Sequence, residues 1–256
     1  MSLALAGRAV LVTRPAGLSQ ALVALLQARG GETVLLPAIE ILPPDDHAKL
    51  DAAIDRLDAF DIAVFVSPTA VKRANAAVRT RRDWPEGLKY AAIGGATARA
   101  LREIGVAEVI VPTGRGDSEA LAALPELSDI NGKRILIFRG QGGREALREV
   151  LLARGAQVEY AECYLRARPR AEVGPLLQRW SGGRIDAVSV TSAEGLENLF
   201  AMLGEAGGAL LRATPVFAPH PRVGEAARSR GVKQVIVTAA GDRALAEALA
   251  AFFAKV

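Results

Sequence analysis

Short apolar runs alternate with helical periods along almost the whole chain. Residues 8–13 form the first run. Leu18, Leu22, Leu25 and Leu26 then recur at i, i+4, i+7 and i+8, one stripe of a helix that stops at Gly30-Gly31. The same pattern predicts strands at 33–36, 62–66, 90–93, 108–111, 134–138, 158–160, 185–191, 215–218 and 234–238, with helices between and after them. Residues 38–42 read as an extended segment closed by Pro43-Pro44. A helix is expected over 47–58 and another over 117–124. Ser67-Pro68-Thr69 opens a further helix, with proline at an early position where its missing N–H costs little. Strands separated by crossover-length helices predict an α/β fold of parallel sheets covered on both faces.

The pattern is written twice. Residues 135–155 lie over 10–30 at an offset of 125, the separation of Arg14 and Arg139. Gly142 then falls on Gly17, Leu147 on Leu22, Leu151 on Leu26, and Ala153-Arg154-Gly155 on Ala28-Arg29-Gly30. Asp186 to Ser192 lies over Asp61 to Ser67 at the same offset, and Val235-Ile236-Val237 over Val109-Ile110-Val111 at 126. Two copies imply two small doubly wound domains related by a pseudo-dyad.

A length of 256 residues holds two modest domains or one large one. The chain is 50% apolar and 23% charged, an ordinary globular balance. Its single cysteine excludes a disulfide framework and fits a reducing compartment. The opening MSLALAGR is too short for a signal peptide, and no apolar run reaches spanning length, so a cytoplasmic location without membrane contact is expected. The net charge of +4, carried more by arginine than lysine, fits a GC-rich codon supply or an anionic ligand held by planar forks. Nucleic acid is not expected: the positive charge is dispersed, aromatics are sparse and no recognition motif is present.

In such sheets ligands bind beyond the carboxyl ends of the strands. Found there are Arg14 to Gly17, Ser67 to Thr69, Gly94 to Thr97, Arg139 to Gly142, Thr191 to Ala193 and Pro219 to Pro221, with His220 among them. They are small, hydroxylated or cationic and precede helices, whose N-termini receive anions. Taken singly, each loop is equally explained as an N-cap or tight turn. Two histidines and one cysteine supply no zinc spacing, so no metal is expected. Gly140-Gln141-Gly142-Gly143-Arg144-Glu145 begins like a dinucleotide fingerprint but ends on Glu145. Tyr164 lies on an extended exit where alternation places Glu162 and Arg166 on its face and Cys163 on the other. It reads as a titratable site residue or as a packed core tyrosine. Cys163 reads as a small buried residue.

VLVTRP, VFVSPTAV, AIGGATARAL, ILIFRGQGGREAL, GAQVEYAECYLR and DAVSVTSAEGL occur in the order seen in the uroporphyrinogen-III synthase family, which the chain resembles over nearly its whole length. The resemblance implies two flavodoxin-like domains joined by a two-stranded extended linker, with a catalytic cleft between them. Residues 1–36 with 167–256 would form one domain and 37–166 the inserted other, with linkers near 37–42 and 160–166. The implied reaction is cofactor-free cyclisation of hydroxymethylbilane, a linear tetrapyrrole polycarboxylate, with inversion of ring D and loss of water, by a monomer. Tyr164 matches the family tyrosine that assists hydroxyl departure. Ser67, Thr97 and Ser192 match hydroxyl positions, while Arg14 and Arg139 match strand-end arginines that bind carboxylates or fix their loops. Gly140 belongs to the second of those loops. At Pro219-His220-Pro221-Arg222-Val223 the chain departs from the family, which often carries a threonine near Val223; there His220 and Arg222 are the candidates for contact. The competing reading is a two-lobed module that binds a small anion or nucleotide without catalysis.

Overall fold

The computed structural model describes residues 3–114, 116–143 and 145–255. The chain divides into two compact units, Met1–Ile41 with Ala167–Val256, and Leu42–Arg166.

The first unit begins with β1 (Ala9–Val12), α1 (Gln20–Gln27) and β2 (Glu32–Leu35). After the second unit it resumes with α7 (Gly174–Ser181), β8 (Ala187–Ser189), α8 (Ala193–Ala213), β9 (Val216–Ala218), α9 (Pro221–Ser229), β10 (Val235–Val237) and α10 (Asp242–Phe253). Its sheet runs β10-β9-β8-β1-β2, with parallel pairing throughout. All four residues of β1 are buried because both faces are covered, which is why the strand reads as an unbroken apolar run. Val10 and Val12 pack with Leu22, Leu245 and Leu249 of α1 and α10. Leu11, one step out of phase, packs with Leu196, Leu199 and Phe200 of α8.

The border between Ile41 and Leu42 falls inside β3 (Glu40–Leu42), after which the second unit holds α2 (Ala48–Asp55), β4 (Ile62–Phe65), α3 (Pro68–Arg79), β5 (Lys89–Ala92) and α4 (Gly95–Glu103). It continues with α5 (Ser118–Ala122), β6 (Arg134–Gly140), α6 (Ala146–Ala153) and β7 (Gln157–Ala167). The sheet order is β3-β7-β6-β4-β5, and β5-β4-β6-β7 are mutually parallel. One face carries Ile62, Val64, Ile135, Ile137, Leu147 and Leu151. On the other, Phe65 and Phe138 stack at 4.9 Å and Trp84 closes on both edge-on.

Two expectations change. The strand expected at 108–111 is reduced to one bridge between Ala91 and Ile110. The helix expected over 117–124 is α5, five residues long, because Pro125 holds Leu124 before it in an extended conformation. Among the described residues no helix is long and apolar enough to cross a membrane.

Candidate functional site at the carboxyl edge of the sheets

Tyr164 sits where β6 and β7 fall out of step. Arg139 pairs with Glu162 but Gly140 pairs with Tyr164, so Cys163 is skipped as a bulge. Adjacent Cys163 and Tyr164 are both buried, each 3% exposed, as in the other strands covered on both faces. Arg166 lines the same cavity as Tyr164, as expected for a shared face. Glu162 lines a neighbouring cavity with Gln141, Tyr160 being common to both, and accepts the Gly142 N–H at 3.2 Å. The Tyr164 hydroxyl lies 3.1 Å from Ser67 Oγ. Ser67 is the N-cap of α3 and accepts the Ala70 N–H at 3.0 Å. Burial pushes the Cys163 thiol up to about 12, so it remains a protonated packing group.

The cavity beside Tyr164 holds about 300 Å³ and is lined also by Gly116, Asp117, Ser118, Gly142 and Arg166. Its wall is built around Arg139, whose guanidinium is buried instead of facing solvent. Nε donates to the Gly140 carbonyl at 3.2 Å and Nη1 to Glu145 at 3.0 Å, and Nη2 donates to the Gly142 carbonyl. The same guanidinium lies over the Tyr160 ring, and the Tyr160 hydroxyl donates to the second Glu145 oxygen at 2.7 Å. Burial, followed by that hydrogen bond to a carboxylate, pushes the Tyr160 phenol up to about 12. Glu145 is held below the ordinary carboxylate value, first by Tyr160 and then by Arg139, with burial acting against them. Gly142 and Gly143 take φ of +70° and +109°, a left-handed turn that glycine alone adopts without strain. The Gly142 N–H is taken by Glu162 and the Gln141 N–H by the Tyr164 carbonyl at 2.7 Å, so this turn is tied to β7 from both residues.

Asp117 and Ser118 were not legible as site residues. Asp117 caps α5, accepting the Ala120 N–H at 2.9 Å. A Cβ on Gly94 would lie 2.9 Å from the Gly116 Cα, so two glycines let this loop press against the start of α4. The signal was the Gly114-x-Gly116-Asp117-Ser118 run, which reads as a turn and a cap and names no chemistry.

Thr97, in the first turn of α4, is buried at 2% exposure. Ser67, Thr97, Arg139, Gly140 and Tyr164 thus all belong to the second unit. Arg14, Ser192 and His220 belong to the first, following β1, β8 and β9. Arg14 forms an ion pair with Asp242 at the start of α10. Ser192 caps α8, accepting the Gly195 N–H at 2.9 Å, and His220 Nδ1 accepts the Arg222 N–H at 3.2 Å as the cap of α9. Val223 is buried in the α9 core face, which accounts for an apolar residue there. Among the described residues no three histidine, cysteine or acidic side chains are grouped to hold a metal ion.

Residues 20–247 match the family model described as uroporphyrinogen-III synthase HemD. The uroporphyrinogen-III synthase of Salmonella typhimurium is 39% identical over 194 residues, 75% of this chain and 79% of that one. Its namesake from Escherichia coli is 36% identical over 195 residues, 76% and 79% of the two chains. Among solved structures, a mutant uroporphyrinogen III synthase from Thermus thermophilus superposes with a TM-score of 0.64 at 20% identity, covering 97% of this chain and all of that one. The Helicobacter pylori enzyme gives 0.60 at 13% identity, covering 96% and 99%. These two structures speak to the fold. The family match, which runs from α1 into α10, and relatives above a third identity speak to descent: the chain belongs to the uroporphyrinogen-III synthase family.

Proposed function

We propose that this chain cyclises hydroxymethylbilane to uroporphyrinogen III, inverting ring D and releasing water, with Tyr164 donating a proton to the departing hydroxyl. The observation that carries the reading is the Tyr164 hydroxyl, fixed against Ser67 beside a cavity ringed by helix starts and glycine turns. Hydroxide leaves poorly unless protonated, and a phenol is a hydrogen-bond donor at neutral pH. The developing electrophile is captured within the same tetrapyrrole, so the chemistry asks for positioning and one proton, with no redox step and no cofactor.

Carboxylates of the substrate are assigned to Arg14, Ser67, Thr97, Arg139, Gly140, Ser192 and His220 and the helix starts beside them. The buried donors of Arg139 favour loop fixation as its part. The finer organisation belongs to the same proposal: two flavodoxin-like domains, 1–36 with 167–256 and 37–166, with linkers near 37–42 and 160–166. Strand order supports a duplicated unit. β10-β9-β8-β1-β2 corresponds to the Ile110 bridge, β5, β4, β6 and β7, matching the offsets in sequence. We further propose a cytoplasmic monomer.

The test is direct. Purified protein, dialysed against a chelator, is given hydroxymethylbilane, and the type I and type III isomers are separated after oxidation. Type III product supports the reading. Binding without turnover would favour the non-catalytic anion module, and loss of activity on chelation would reject cofactor independence.

A further inference from the structure

We infer that Ser67 and Gly140 are positioning residues for Tyr164: together they fix the height of the phenol and turn its proton toward the cavity. This rests on the proposed acid role of Tyr164, and it moves both residues from substrate contact to support of the acid.

Ser67 Oγ has one hydrogen and two lone pairs. The Ala70 N–H occupies one lone pair at 3.0 Å, and Tyr164 Oη lies 3.1 Å away. If Ser67 donates to Tyr164, the tyrosine keeps its own proton for a substrate oxygen. If Tyr164 donates to Ser67, that proton is already engaged. Only the first sense leaves an acid. It also improves during reaction, because a hydroxyl hydrogen bond strengthens as negative charge builds on the phenol oxygen.

Gly140 supplies the seat. A Cβ there would lie 2.6 Å from Cε2, 2.7 Å from Cζ and 3.1 Å from Oη of Tyr164. Contacts below 3.0 Å require something to move, and this ring is buried at 3% exposure. Gly140 is not among the glycines with positive φ, so its backbone would accept alanine. The reason for glycine is the ring itself. The skipped Cys163 completes the arrangement, since the bulge is what brings Tyr164 opposite Gly140.

The experiment uses the full chain with tyrosine labelled at Cζ and compares wild type, Ser67→Ala, Gly140→Ala, Tyr164→Phe and the Gly140→Ala/Tyr164→Phe double variant. The chain has three tyrosines, so Tyr164→Phe assigns the signal. We expect the Tyr164 signal to shift in Ser67→Ala and Gly140→Ala while those of Tyr90 and Tyr160 stay in place. Turnover should fall about tenfold or more with KM held within about twofold, and Ser67→Thr should restore most of it. Adding Gly140→Ala to Tyr164→Phe should cost no further turnover. An unmoved Tyr164 signal, a raised KM at unchanged turnover, or a further loss in the double variant would each overturn the inference. If Gly140→Ala fails to fold, the signal and kinetics of Ser67→Ala decide. Wild-type turnover in Tyr164→Phe with a shifted signal in the other variants would reject the acid role while leaving the positioning intact.

Discussion

The Arg139 guanidinium lies 4.3 Å from the centre of the Tyr160 ring, and both side chains hydrogen-bond the single carboxylate of Glu145. A strand-end arginine is thereby turned into the anchor of the loop that follows it. We predict that Arg139→Ala lowers stability by about 2 kcal/mol, the scale of lost hydrogen bonds from a charged donor. Arg139→Lys should rescue little, because one ammonium cannot reproduce a planar fork. Urea denaturation measures this; an unchanged midpoint with a raised KM would mean that the guanidinium serves the substrate.

Alkaline pH should loosen the same region. The folded Tyr160 phenol and Cys163 thiol both titrate near about 12, above their ordinary values of 10.0 and 9.0. Each favours the neutral form in the folded state, so its stabilisation is fully present below the unfolded value and lost as pH rises toward 12. The denaturation midpoint should fall from pH 9 upward. In Cys163→Ala the fall should start about one unit later and be shallower. Identical profiles for the variant and wild type would show that burial does not hold the thiol neutral.

The Gly94–Gly116 contact makes a sharper demand, since the atom in the way is main chain. Gly116→Ala places a Cβ 3.0 Å from the Gly94 Cα. Backbone yields less readily than a side-chain tip, so a loss of about 1–3 kcal/mol is expected. Hydrogen exchange should report faster opening of residues 116–118. Unchanged exchange would argue that the loop rests elsewhere in solution.

Sequence reasoning reached the sheets because both faces of β1, β4 and β6 are covered, which leaves unbroken apolar runs to read. It placed Ser67, Ser192 and Tyr164 on strand exits because caps and exits are local features. It missed the consequence of the bulge at Cys163, since a one-residue slip depends on the partner strand and leaves no trace in alternation. It left Arg139 undecided for a similar reason. Whether a guanidinium turns inward depends on Tyr160 and Glu145, which come together only after β6, the loop and β7 have formed. The lost strand at 108–111 shows the opposite failure: β-branched residues promised pairing, and only Ile110 found a partner.

Arg14 contrasts with Arg139. It is paired with Asp242 yet remains 18% exposed, near enough to solvent to meet a carboxylate. We expect KM to rise with salt and Arg14→Ala to raise KM about threefold to tenfold while lowering turnover less. Asp242→Asn, which leaves the guanidinium uncompensated, should lower KM. A lowered denaturation midpoint in Arg14→Ala with KM unchanged would assign the pair to the fold alone.

Tyr164→Phe isolates the proposed chemistry. The variant keeps the ring in its seat over Gly140 and removes only the hydroxyl that meets Ser67. Binding should survive, because the loops and helix starts proposed to receive carboxylates are untouched. A placed general acid is worth about 10²–10⁴-fold. The low end is expected here, since hydroxymethylbilane also closes unaided to the unrotated isomer and so needs only modest activation. Turnover should therefore fall about 10²-fold, close to 2.7 kcal/mol of barrier, at nearly constant KM. The product ratio gives a second, independent reading. Slower ionisation on the enzyme lets more substrate dissociate and close in solution, so the type I share should rise as turnover falls. If turnover drops but the isomer ratio holds, Tyr164 is an acid whose loss does not release substrate. If both stay at wild type, the hydroxyl has no part in the reaction and Tyr164 is a packed core residue at the wall of the cavity.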